Sequence, residues 1–148
     1  MAGGILLLCG CVGQAPTRLY TGHEFQFATV SPPTENLTGA WSGSWQDPVR
    51  KSSEDFTMDL KQKGNALKGD AEFSDWDRSS ATVSGQISGA QISVVIRPRG
   101  NPYYIPPSSS WVGVASNGTI TGTWYLHGEP GNGYGNTGPW SAKLAPAR

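Results

Sequence analysis

Helical periodicity is the plainest thing this chain lacks. Beyond residue 37, no long segment spaces its apolar residues three and four apart, which argues against helical bundles and crossover-helix folds. Charge is also scarce: 15% of the 148 residues are charged, and 11 basic side chains balance 11 acidic ones. A net charge of zero gives no electrostatic reason to expect nucleic acid or an acidic membrane surface as a partner. Histidine and cysteine occur twice each. His127-x-Glu129 therefore stops at two metal ligands, with no further His or Cys to complete a zinc set. His127 could be grouped with several serines, but no nucleophile-elbow motif frames any of them. Asp75 and Asp77 flank Trp76 without the further oxygens that calcium needs. The glycines at 128, 131, 133 and 135 precede no Lys-Ser/Thr and no helix, so they make no phosphate loop. The expectation is a protein with no metal, no cofactor and no enzymatic activity.

What the chain has in abundance is 20 glycines, 11 prolines and 6 tryptophans, a composition of short strands and turns. Thr-Gly-x-Trp recurs at Thr38–Trp41, Thr121–Trp124 and Thr137–Trp140, each time in an alternating apolar and polar run. From Thr38 onward the period of two is sustained. Trp41, Gly43 and Trp45 share one face of a first strand; Phe56, Met58 and Leu60 share one face of a second. Leu67, Gly69, Ala71 and Phe73 mark a third, Val83, Gly85 and Ile87 a fourth, and Ile92, Val94 and Ile96 a fifth. Trp111, Gly113 and Ala115 mark a sixth, Ile120, Gly122, Trp124 and Leu126 a seventh, and Trp140, Ala142 and Leu144 an eighth. In strand six this places Val112 and Val114 outside, near Val95 and Tyr125, as a small apolar patch; the opposite register would bury them instead.

Eight consecutive strands with short connections predict an all-β fold, a single antiparallel up-and-down β-barrel over residues 38–146. A barrel of that size either fills its interior with side chains or holds one small ligand. Residues 11–37, with Ala15-Pro16 and Ser31-Pro32-Pro33, read as a tether in which Leu19 to Val30 could add a strand. The connections alternate in length: tight turns at 63–65, 88–90 and 116–118, longer links near 47–53, 75–78, 98–109 and 127–137. In a meander every second connection lies at the same end, so the longer links crown one rim and the turns close the other. That rim carries Trp76, Arg99, Tyr103, Tyr104, His127 and Tyr134, the candidate ligand- or partner-binding residues. The same aromatic residues could instead plug the barrel end as a lid, and both roles stay open.

Two resemblances add to this. Leu8-Cys9-Gly10-Cys11, after the apolar run Ile5 to Leu8, resembles the lipobox of bacterial lipoproteins, although no Lys or Arg precedes the run. The resemblance implies that residues 1–10 are a signal segment and that Cys11 becomes a lipidated first residue, leaving no thiol for a disulfide. Val12, where an Asp would mark retention at the inner membrane, points by the same resemblance to the outer membrane, facing the periplasm. The run itself is far short of the about 20 residues of a membrane-spanning helix. Ile120-Thr-Gly-Thr-Trp124-Tyr125 looks like the opening strand of the avidin family, eight-stranded meander barrels that bind biotin. It covers six residues and falls in strand seven, so it supports the architecture more than the ligand. The expectation is a membrane-anchored, non-enzymatic barrel that binds a small apolar or amphipathic ligand at its rim, in lipocalin or avidin fashion. The alternative is a protein-interaction module, such as a periplasmic enzyme inhibitor or an envelope-assembly partner, using the tyrosine-proline loop at 98–109.

Overall fold

The structure is a computed structural model that describes residues 27–74, 79–100, 108–127 and 137–146. Eight strands follow one another: β1 (Gly39–Asp47), β2 (Ser52–Lys63), β3 (Ala66–Phe73), β4 (Ser80–Ser88), β5 (Gln91–Pro98), β6 (Ser109–Ser116), β7 (Thr119–Leu126) and β8 (Thr137–Leu144). Each pairs antiparallel with the next, and β8 returns to β1 from Trp41↔Leu144 to Trp45↔Trp140, closing the barrel. The alternation in sequence sets which side faces in. Phe56, Met58, Leu60, Leu67, Val83, Ile87, Ile92, Val94 and Ile120 are all buried in one core cluster. Their neighbours Thr57, Asp59, Lys61, Lys68, Asp70 and Glu72 are exposed.

Five tryptophans point inside, and glycines make room for them. On β7 and β8 the Thr-Gly-x-Trp motifs meet head to tail, so that Gly122 lies opposite Trp140 and Trp124 opposite Gly138. Each glycine accommodates the other strand's indole. A Cβ on Gly122 would sit 2.8 Å from Trp140 Nε1 and overlap the Val112 carbonyl oxygen; one on Gly138 would sit 2.9 Å from Trp124 Nε1. The space is used: Trp140 Nε1 donates to the Val112 carbonyl at 3.0 Å, and Trp124 Nε1 donates to the Gln46 carbonyl at 2.9 Å. The motif therefore relieves crowding across the strand pair, with each glycine serving its partner's tryptophan.

The tight turns all lie at one end, the base. Asn117 and Gly118 both have positive φ (51° and 76°), the signature of a type I′ hairpin. Gly64 and Gly89 each have φ 59° as the first central residue of their turns, as type II′ requires. The last part of the segment that reads as a tether crosses this end and is bound to every turn. Asn65 Nδ2 donates to the Ser31 carbonyl at 2.7 Å, Thr34 N to the Gly89 carbonyl at 2.9 Å, and Asn117 N to Glu35 Oε1 at 3.1 Å. Gln62 fixes the strap twice, accepting from Leu37 N at 2.8 Å and donating to the Glu35 carbonyl at 3.1 Å. Leu37 itself is 2% exposed and seals the base; its carbonyl accepts from Trp41 Nε1. Phe27 to Val30 lie outside any strand, so the described end of the Leu19–Val30 segment is not an added strand. The remainder of that segment, and Cys11, lie outside the described residues.

Strand six takes the register that faces Trp111 and Ala115 inward and Val112 outward. Of the patch that this register would present, Val112 is only 5% exposed and Val95 9%, the outward Ser93 and Ser110 are also buried, and Val114 and Tyr125 are half-buried. Leu144 departs from its strand-mates at the base end, where it is exposed.

Two stability tests follow from the packing. Gly122→Ala is expected to cost about 3 kcal/mol or more, because the new methyl meets a backbone carbonyl that cannot yield. Thermal denaturation of the two chains measures it. Leu37→Ala is expected to cost about 2–5 kcal/mol by opening the sealed base; a melt unchanged from the parent would mean that the strap is dispensable.

Candidate functional site at the barrel mouth

At the end opposite the strap lie the strand ends that the connections β1–β2, β3–β4, β5–β6 and β7–β8 join, as the sequence alternation requires. The first of them is short and internally braced. Asp47 is buried at 1% exposure and its Oδ1 accepts from Val49 N (3.0 Å) and Arg50 N (3.2 Å), an Asx-type turn. Lys51 then takes the left-handed conformation (φ 54°) and leads into β2.

Beneath these loops the barrel interior changes character. The base half is mainly aliphatic, with Leu60, Leu67, Ile87, Ile92 and Ile120 beside the single indole of Trp41, whereas the other inward aromatic rings cluster toward the mouth. Trp111 packs on Trp140 with ring centroids 5.1 Å apart and on Phe56 at 5.2 Å. Phe73 lies 5.9 Å from both Phe56 and Trp111. Trp45 meets Trp124 edge to face at 5.4 Å and 85°. Edge-to-face and tilted pairs at these distances are the favoured aromatic geometries, so the rings brace one another as a layer. Trp111 Nε1 is satisfied by Ser109 Oγ at 2.8 Å. Above this layer, Trp45, Phe73 and Leu126 are only partly buried, and they form its upper surface.

Trp45 differs from the other inward indoles whose bonds are described. Its Nε1 is buried yet has no hydrogen-bond partner among the described residues. Directly opposite it on β2 stands Glu54. Residues paired across antiparallel strands point to the same side, so Glu54 follows Trp45 and Phe56 toward the interior at the mouth. It is half-buried, and no hydrogen bond or ion pair engages it among the described residues.

Of the rim residues expected from sequence, Arg99 and His127 are described, and the structure places both on the outside. Arg99 donates to Asp70 of β3, spanning the outer face of β4, with side-chain exposures of 49% and 65%. The pair relieves an unfavourable neighbour, since Asp70 lies directly opposite Asp59. His127 Nε2 lies 2.6 Å from Ser110 Oγ on the outer wall of β6, and its backbone N–H donates to the Ser108 carbonyl. The structure does not bring Arg99 and His127 together. Trp76, Tyr103, Tyr104 and Tyr134 lie outside the described residues. The inner mouth residues Trp45, Phe73 and Leu126 read in sequence only as core positions. The signal that could have separated them is their place as the last inward residues before long connections.

No protein-family model and no curated protein matches the chain. Its site must therefore be judged on its own geometry. No helix among the described residues is long and apolar enough to cross a membrane. No cluster of three His, Cys, Asp or Glu among them could hold a metal ion. A concavity of about 1060 Å³ lies along the wall from β7 through β8, β1 and β2 to β3, lined by hydroxyl-bearing residues such as Ser42, Thr57, Thr121 and Ser141 together with Phe56 and Phe73.

Because an exposed ion pair contributes little, Arg99→Ala is expected to change stability by no more than about 1 kcal/mol. Urea denaturation of the variant checks this.

Proposed function

We propose that this chain is a non-enzymatic binding module, tethered to a membrane through Cys11, that seats a small apolar or amphipathic ligand at the barrel mouth. The observation that carries the reading is the aromatic layer with its partly exposed upper surface, Trp45, Phe73 and Leu126, at the loop-bearing end. Ligand sites are concave, mostly apolar and furnished with a few polar groups, and this end has that composition. The layer of touching rings makes the seat shallow: a ligand rests on it and does not pass toward the aliphatic base. Binding therefore uses the mouth and the loops around it.

The strap gives the module its orientation in this reading. It crosses the base and runs into β1 there, so a lipid on Cys11 holds the base toward the bilayer and leaves the mouth facing away. In this reading the lipobox resemblance supports a bacterial envelope protein at the outer membrane, facing the periplasm. The alternative, a protein-interaction module acting through the loop at 98–109, uses the same end of the molecule. It predicts partner capture with no affinity for small amphiphiles.

Binding of Nile red, a neutral amphipathic dye, tests the mouth. The full chain is expected to enhance its emission, and Phe73→Glu or Leu126→Glu to remove at least about 90% of that gain by placing a charge on the apolar seat. Near-UV circular dichroism controls for folding. Enhancement that survives both substitutions in folded protein rules out the mouth. Mass spectrometry of the membrane fraction tests the anchor: a diacyl or triacyl adduct is expected on Cys11, and an unmodified Cys11 would remove the tether from the reading.

A further inference from the structure

On β1, β2, β7 and β8, outward side chains such as Ser42, Thr57, Thr121 and Ser141 are exposed. On β5 and β6 the outward Ser93, Val95, Ser110 and Val112 are buried, Ser110 to 1%. Residue size does not account for the contrast, because serines occur in both sets. Lateral neighbours do not account for it either. Val95 is flanked by Ser84 and Ser110, and Ser93 by Gln86 and Val112. A side chain as short as serine cannot roof over a valine. The cover therefore lies above the sheet. It is not a ninth strand, since a closed barrel leaves no edge to pair with. What covers this wall packs on it through side chains.

We infer that residues 19–27 of this chain are that cover, docked across the outer wall of β5 and β6. The course of the strap leads there. Ser88 is the outward residue at the base end of β4, and its Oγ accepts from Ser31 N at 2.8 Å and donates to the Thr29 carbonyl at 3.3 Å. The segment before β1 thus passes outside the barrel beside β5. Phe27, where the described chain begins, is half-buried although it belongs to no strand. From Ser88 the far side of the buried patch is about 13 Å along β5 and about 10 Å across to β6. Nine residues in extended form span about 30 Å, which is ample. The connection at the mouth is too short. Its ends are held in the ladder there, Arg99 N on the Ser80 carbonyl and the Ser108 carbonyl on His127 N. Residues 101–107 must go out and return, so they reach about 13 Å, whereas Ser93 lies about 20 Å along β5 from Arg99. The chemistry also matches: the wall offers Val95 and Val112, and the segment brings Leu19, Tyr20, Phe25 and Phe27. Docking leaves residues 11–18 as free tether, about 25 Å at full extension. The inference needs neither a ligand at the mouth nor a lipid on Cys11.

The experiment places the photoreactive residue p-benzoylphenylalanine at position 25 or, separately, position 20 of the full chain and maps the adducts by mass spectrometry of proteolytic peptides. An adduct within the same chain is expected at residues 93–95 or 110–114. Val112→Asp puts a charge on the wall and is expected to lower the yield of that adduct at least about fivefold. Near-UV circular dichroism checks that this variant keeps its packed interior. Adducts confined to other strands or to a second copy of the chain, or no adduct within the chain from either position, overturn the inference. A yield in folded Val112→Asp equal to that of the parent overturns it as well. Should Val112→Asp not fold, the adduct map of the parent decides alone. Neither result bears on ligand binding at the mouth, which the dye measurement tests separately.

Discussion

Everything in this fold depends on fitting five indoles inside a cylinder of eight strands. A barrel of that strand number has an interior just wide enough to be filled by side chains. Two pairs of these tryptophans even stand directly opposite each other, Trp111 with Trp124 and Trp45 with Trp140, so room has to be found on the neighbouring strand. The reciprocal placement of Gly122 against Trp140 and Gly138 against Trp124 solves this on β7 and β8, and it also aims each indole N–H at a backbone carbonyl. The Trp124 bond reaches β1, beside the β1–β8 seam, so the packing solution and the closure of the sheet are joined there.

The two ends of the barrel then diverge for a physical reason. At the base, hairpin turns leave backbone groups close together, and one strap satisfies them through Ser31, Thr34 and Glu35 while Leu37 completes the apolar core. At the mouth, no such strap is seen among the described residues. Trp45, Phe73 and Leu126 remain partly exposed there. The chain thus has a sealed end fastened to the segment before β1 and an aromatic end whose last inward residues stay partly exposed.

Polar satisfaction follows the same division. Trp41, Trp111, Trp124 and Trp140 bond their N–H groups to the protein itself, which makes them structural. Trp45 does not, and its cross-strand neighbour is a carboxylate on the inward face. Arg99 and His127, the chemically conspicuous rim residues, are occupied on the outer wall with Asp70 and Ser110. Trp45 and Glu54 lie instead on the inward face near the mouth, at positions whose sequence context is that of ordinary strand ends.

Local pattern decided the barrel. Strict alternation from Trp41 to Ala142 determined which residues face inward, and Gly64, Gly89 and Asn117-Gly118 determined three turns, because those features depend on neighbours two to four residues away. The alternation of short and long connections likewise located the two ends. What only the tertiary structure decided is everything involving residues distant in the chain: that Gly122 serves Trp140, that the proline-bearing segment binds the base as a strap, that Val112 faces outward and is still covered, and that Arg99 turns to Asp70. The pairing of Trp45 with Glu54 is of the same kind. Each of these depends on strand register and on the curvature of the closed sheet, and no window of consecutive residues contains either.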